Sequence, residues 1–292
     1  MPAQFPIIFV IAAIVLIAGF AIAGSRKRKG RDITVPAPER LRDDLLFGYY
    51  GHQGEQAAET RDHVNLVWCW DFLNPDTAAD VLMQYPEEVF GVLDCAPYLW
   101  TRRPQQPRPD AEQALRACFL RLRERGMLTR VKMLVPLDEP NLSANDTTCA
   151  HLPWAHDMMK RVAAEFAELA AVKLGCVYLG GKAMPHLGLW DVAGFDEYDE
   201  RSAILTPAGA YSRFKANLKA GAHTLLFPGG YSDCKQDPTP FINFAHANPE
   251  VLAVVPFLWC SVPWESFKGI RDVPEVKDKY VAAGLSIVNK GA

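Results

Sequence analysis

Two adjacent carboxylates, Asp138 and Glu139, close the apolar run "VKMLVPLDEPN" at residues 131–141 and stand directly before Pro140. A run of strand-forming residues that stops in charge points that charge at water or at a ligand. A second pair, Asp196 and Glu197, follows "LWDVAGF" at 189–195 in the same way, and Asp94 closes "VFGVLDC" at 89–95. Acids crowded together in a desolvated place have their pKa values pushed apart, so one carboxyl keeps a proton to donate while another stays ionised. That is the equipment of general acid–base and nucleophilic chemistry on a bond to oxygen.

Aromatic side chains gather at the same places. The tryptophans are Trp68, Trp70, Trp100, Trp154, Trp190, Trp259 and Trp264, most at or just past the ends of apolar runs, with Trp190 at the start of one. An indole offers a flat apolar face, able to pack on the C–H face of a pyranose, and an edge that stays polar. About half of these rings are expected to cap the core instead. The residues expected to contact a ligand are Asp138, Tyr50, His52, Trp70, Asp94, Trp100, Tyr231, Trp259 and Trp264. Glu139 is the expected acid, with Asp196 or Glu197 as its partner. Because strand side chains alternate, only one of each adjacent pair of acids is expected to face a cleft.

Other chemistries lack their signatures. The histidines show no HxH or HExxH spacing, no cysteine pair reads CxxC, and no phosphate-cradling glycine loop or GxSxG elbow occurs. Neither a metal nor a cofactor is expected. The seven cysteines sit mostly inside apolar runs and read as small buried hydrophobes.

The elements that must carry these residues alternate between short apolar runs and helix-period segments. Eight strands are expected, at 45–50, 64–70, 89–95, 130–137, 175–180, 189–195, 222–227 and 251–259. Asn74 before Pro75, Asp110 with Gln113 three residues on, and Thr206 before Pro207 mark helix starts. Leu115, Cys118, Phe119 and Leu122, then Met159, Val162, Phe166 and Leu169, then Tyr211, Phe214 and Leu218 follow the spacing of one buried helical face. The order fits an α/β chain folded as a (β/α)8 TIM-type barrel over 43–292, whose sites lie at the carboxy-terminal strand ends. One joint departs from the ideal, since "GKAMPHLG" between the fifth and sixth strands is too short for a helix.

The strand-four stretch "LDEPN" resembles that of TIM-barrel glycoside hydrolases of the clan whose fourth strand ends in Asn-Glu, often followed by Pro. The resemblance implies Glu139 as the general acid, with Asp138 in place of the usual Asn, and Trp259 as a sugar platform. The same clan takes its nucleophile from a Glu at the end of strand seven, whereas this chain reads "LLFPGGY" there. A second carboxylate must therefore come from another strand, and the acids after strand six are the substitute. Two readings follow: a barrel that cleaves a glycan with these carboxylates, or a degenerate one that binds saccharide or a protein without hydrolysis.

Ahead of the barrel, residues 6–24 carry no charge, enough apolar length for a membrane-spanning helix. "SRKRKGR" follows at 25–31, and the polar, proline-bearing stretch 25–42 reads as a tether. A retained single-pass anchor at 1–24, in contact with the lipid bilayer, is expected over a cleaved secretory signal, because the apolar run lacks a basic flank on its amino-terminal side. The basic flank favours a cytoplasmic barrel, whereas glycan chemistry favours the opposite side. The formal charge of −3, with no basic block beyond this flank, argues against nucleic acid as a partner.

Overall fold

The structure is a computed structural model, and it describes residues 42–50, 56–69, 74–101, 106–142, 149–180, 182–196, 198, 205, 209–261 and 267–288. Eight strands appear where the apolar runs predicted them: β1 Leu46–Phe47, β2 Leu66–Cys69, β3 Phe90–Asp94, β4 Val131–Val135, β5 Lys173–Leu179, β6 Val192–Asp196, β7 His223–Leu226 and β8 Val251–Val254. All the ladders between them are parallel, in the order β1-β8-β7-β6-β5-β4-β3-β2. The remaining seam, between β1 and β2, is drawn together by Asn65. Its backbone N–H donates to the Phe47 carbonyl at 3.0 Å, while its side-chain oxygen accepts from the Phe47 N–H at 2.7 Å. A ring of parallel strands results.

Helices cover the ring: α1 Ala57–Thr60, α2 Pro75–Met83, α3 Ala96–Leu99, α4 Ala111–Glu124, α5 Leu152–Ala163, α6 Ala210–Lys215, α7 Thr239–Ala247 and α8 Pro274–Val288. Asn74 caps α2 as its sequence promised, its side chain accepting from the Asp76 N–H. Asp110 precedes α4 but makes no capping bond, because its carboxylate pairs with Arg108 at 2.7 Å. Thr206 lies outside the described residues. Helix α5 ends at Ala163, earlier than the apolar spacing implied, and Phe166 and Leu169 reach the core through a 3-10 turn at Ala167–Leu169. Between β5 and β6 the short link holds only a 3-10 turn, Leu187–Leu189.

Strand alternation sorts the apolar residues into two bodies. One fills the barrel, including Leu66 and Trp68 of β2, Val92 of β3, Met133 and Val135 at β4, Val177 of β5 and Leu225 of β7. The other packs strands against helices. Gly194 belongs to the inner set: a Cβ there would lie 2.7 Å from Phe227 and 2.9 Å from Val177, so only hydrogen fits. With Val192 and Gly194 facing inward, Asp196 at the carboxy-terminal end of β6 faces inward too.

The chain enters this body at Arg42. Its backbone N–H donates to His246 Nδ1 at 3.0 Å, and its guanidinium donates to the carbonyls of Ala245, Asn248 and Val251 at 3.1, 2.9 and 2.8 Å. Residues 6–24, where the anchor is expected, lie outside the described residues. Among the described residues no helix is long and apolar enough to cross a membrane.

Candidate active site

At the carboxy-terminal mouth of the barrel, ends of β1, β3, β4 and β6 bring together Tyr50, Asp94, Asp138, Glu139, Asp196 and Tyr198. Tyr50 is buried on Trp68, Phe227 and Phe257, with ring centroids 4.8, 5.6 and 5.9 Å away, and its phenol lies beside Asp138. Asp94 also accepts from the Ala96 N–H at 2.9 Å, fixing the start of α3.

Glu139 is 1 % exposed and Asp196 5 %, and the charge of each carboxyl acts on the other. Burial drives the Glu139 pKa well above the usual carboxylate range, and the charges of Asp138 and Asp196 push it further, against a smaller opposing pull from Lys182. Asp138 is raised to about 6, again chiefly by burial, with the Tyr50 hydroxyl holding it lower than burial alone would. Tyr198 lies against Asp196, and burial together with that carboxylate raises its phenol. Within this cluster Glu139 is therefore the carboxyl shifted toward its protonated form, chiefly by burial.

Both members of the strand-four pair reach the pocket, contrary to the alternation argument. Extended neighbours point to opposite faces, but Glu139 has φ +41°, which turns the chain and swings both carboxyls to one side. For the strand-six pair, inward alternation selects Asp196, while Glu197 lies outside the described residues. His52, Trp70 and Trp264 also lie outside them.

Two of the expected sugar platforms are placed elsewhere. Trp259 is 2 % exposed, packed between strands and helices on Tyr49 and His63, with its indole N–H donating to Glu59 at 2.8 Å. Trp100 is buried against Trp154, and its indole N–H donates to the Pro136 carbonyl at 2.7 Å, bracing the end of β4 from behind. Trp190 likewise is sealed, donating to the Tyr178 hydroxyl at 2.9 Å. The apolar surface near the acids comes instead from Phe257, Tyr198 and Tyr231, whose rings lie 5.7 to 5.8 Å apart. Tyr231 was expected there. Phe257 and Tyr198 were not, although the series 194, 196, 198 and the series 253, 255, 257 carry the inward alternation that finds them.

The placement of Trp259 makes a simple expectation. Trp259→Phe should lower stability by about 1 to 2 kcal/mol through the lost indole donor and packing, while leaving the affinity for any glycan within about threefold. Thermal unfolding beside a binding isotherm checks both, and a tenfold loss of affinity would return Trp259 to the mouth.

Similarity to solved structures agrees with this architecture. No known protein family's sequence profile matches the chain, and no curated protein sequence matches it. Among solved structures it is similar to a GH2 beta-galacturonidase from Eisenbergiella tayi bound to galacturonate, at TM-score 0.51 and 10 % identity over 86 % of this chain and 52 % of that one. ScGas2 in complex with compound 6 gives TM-score 0.54 and 11 % identity over 86 % and 66 %. A beta-galactosidase from the psychrophilic Marinomonas ef1 gives 0.50 and 13 % over 84 % and 59 %. The chain thus spans between about half and two thirds of these proteins' lengths, and the shared feature is the fold. It is a TIM-type (β/α)8 barrel, the architecture that the order of apolar runs predicted.

Proposed function

We propose that the chain is a membrane-anchored, glycoside hydrolase-like protein that binds a glycan at the carboxy-terminal mouth of its barrel and cleaves it with Glu139 and Asp196. The observation that carries this reading is the burial of Glu139 and Asp196 together beside Asp138, which favours the protonated form of Glu139. Glu139 donates that proton to the leaving glycosidic oxygen, and ionised Asp196 attacks or stabilises the sugar carbon. A two-step retaining mechanism needs the two carboxyls about 5 to 5.5 Å apart, and a one-step inverting one about 6.5 to 9.5 Å. Tyr198 keeps Asp196 oriented, and Phe257 and Tyr231 offer apolar faces to a pyranose. Residues 6–24 supply the anchor, and protease accessibility of a carboxy-terminal tag in intact cells decides which side the barrel occupies.

The test is release of reducing ends from a polysaccharide panel by the detergent-solubilised full chain, beside Glu139→Gln. One observation favours the second reading, a barrel that binds without cleaving: β7 ends in "LFPGGY" and contributes no carboxylate. Binding with no turnover by the wild-type chain selects it.

Asp138 gives the pocket a measurable signature in stability. The unfolded chain releases this proton near pH 4 and the folded chain near 6, so the group's contribution is full below pH 4 and fades as pH rises to 6. Asp138→Asn removes that loss while leaving an acceptor for Tyr50. The variant should be more stable than wild type by about 2 kcal/mol at pH 7.5 and nearly equal to it at pH 4, as denaturant titration at the two pH values would show.

A further inference from the structure

Glu139 is an unusual residue to find at positive φ. It has a side chain, which disfavours the left-handed region, and it precedes Pro140, which restricts its backbone further. A residue in such a conformation persists only where its surroundings over-determine it. Three contacts do so. The Glu139 carbonyl accepts from the Leu142 N–H at 3.0 Å, the Pro140 carbonyl accepts from the Cys149 thiol at 2.9 Å, and Asn141 docks the turn onto the neighbouring strand.

Asn141 is 4 % exposed and uses its whole amide. Oδ1 accepts from the Leu179 N–H at 2.9 Å, and Nδ2 donates to the carbonyls of Leu179 at 2.9 Å and Ala183 at 3.1 Å. The β4–β5 ladder pairs Met133 and Leu134 with Lys173 and Leu174, and beyond it a single bridge joins Asp138 to Val177. Asn141 therefore acts as one more rung, made by a side chain after the backbone has left the strand. Its second bond, to Ala183, ties down the residue next to Lys182, the cation whose charge acts on Glu139.

We infer that Asn141 is a positioning residue, which docks the turn after β4 on the end of β5 and thereby holds Glu139 against Asp196 with Lys182 at fixed reach. Its catalytic consequence rests on the function proposed above, but its effect on Glu139 does not. The groups that face Glu139 are Asp138 on its own segment, Asp196 from β6 and Lys182 beyond β5, with Tyr50 beside Asp138 and Tyr198 beside Asp196. Freeing the turn moves the carboxyl away from two like charges and toward water, so the proton is released at lower pH.

The experiment uses the full chain in detergent with carbon-13-labelled glutamate, the Glu139 side-chain signal being assigned by its absence in Glu139→Gln. In wild type that signal is expected to titrate above the ordinary glutamate range. In Asn141→Ala it is expected to titrate at a lower pH than in wild type, with kcat on a cleaved glycan at least about 30-fold lower and KM within about threefold, a split typical of a misplaced group. Cys149→Ala, which removes only the single thiol bond to Pro140, should shift both readouts in the same direction but by less. Should Asn141→Ala fail to fold, Asn141→Ser, which keeps an acceptor but no amide donor, is expected to shift the signal in the same direction. A folded Asn141→Ala whose Glu139 titrates at the same pH as in wild type overturns the inference. Absence of glycan cleavage by the wild-type chain would instead remove the proposed reaction, and the labelled signal would still decide the role of Asn141.

Discussion

Replacing Glu139 by Gln is expected to lower kcat on the cleaved glycan by about a thousandfold, within the range that a positioned general acid supplies, and to leave glycan binding within about threefold. The asymmetry follows from the state of the group. Burial favours the protonated form of Glu139, so the amide preserves shape, neutrality and most contacts, and only the transferable proton is lost. For the same reason the variant should fold normally. Initial rates on the panel's best substrate, with a binding isotherm for the same glycan, check the two halves separately. Equal turnover in variant and wild type would take Glu139 out of the mechanism. A parallel fall in binding would make it a ligand contact instead.

Asp196→Asn is expected to cost about a hundredfold or more in kcat, and to do something Glu139→Gln cannot. The charge of Asp196 is one of the causes that keep Glu139 protonated. Removing it lowers the pKa of Glu139, so whatever activity remains should lose its alkaline limb at a lower pH than wild type. A pH–rate profile of both proteins shows the shift directly. If Asp196 is the nucleophile, Asp196→Ala should also regain turnover with a small external anion such as azide, giving a glycosyl azide of the opposite anomeric configuration to the wild-type product. Neither shift nor rescue would leave Asp196 as a structural neighbour and return the second-carboxylate role to another residue.

Much of the barrel is legible in the chain because parallel strands buried on both faces write continuous apolar runs, and eight of them stand out. Their exact ends are less legible. "LWDVAGF" predicts a strand from 189, yet β6 begins at Val192, because Leu189 still belongs to a 3-10 turn and Trp190 turns to Tyr178. In the site, Glu139 and Asp196 could be found from charge at strand ends, and alternation through Val192 and Gly194 singles out Asp196 over its neighbour. The rule that adjacent acids face apart failed at Asp138 and Glu139, since a positive φ is a property of the turn's packing that residue types alone do not declare. Tryptophan placement was legible only as a tendency. Trp100 and Trp259 stand near strand ends like ligand platforms, but each buried indole donates its N–H away from the acids, to the Pro136 carbonyl or to the Glu59 carboxylate. Asn141 ends the "LDEPN" stretch without declaring its role, because that role lies in two backbone groups of Leu179 at the end of β5 and one of Ala183 beyond it.

The attachment at Arg42 has a mechanical consequence. First strands are where a barrel is most easily unzipped, and β1 is only two residues long. A pull on the chain from its amino-terminal side reaches Arg42 before β1. There it meets a backbone bond to His246 and three guanidinium bonds to carbonyls around the end of α7 and the start of β8. Bonds loaded side by side must fail together, whereas those of a ladder pulled from its end fail one at a time. Strain on the leader is thus passed to the last strand of the ring, and the first is spared.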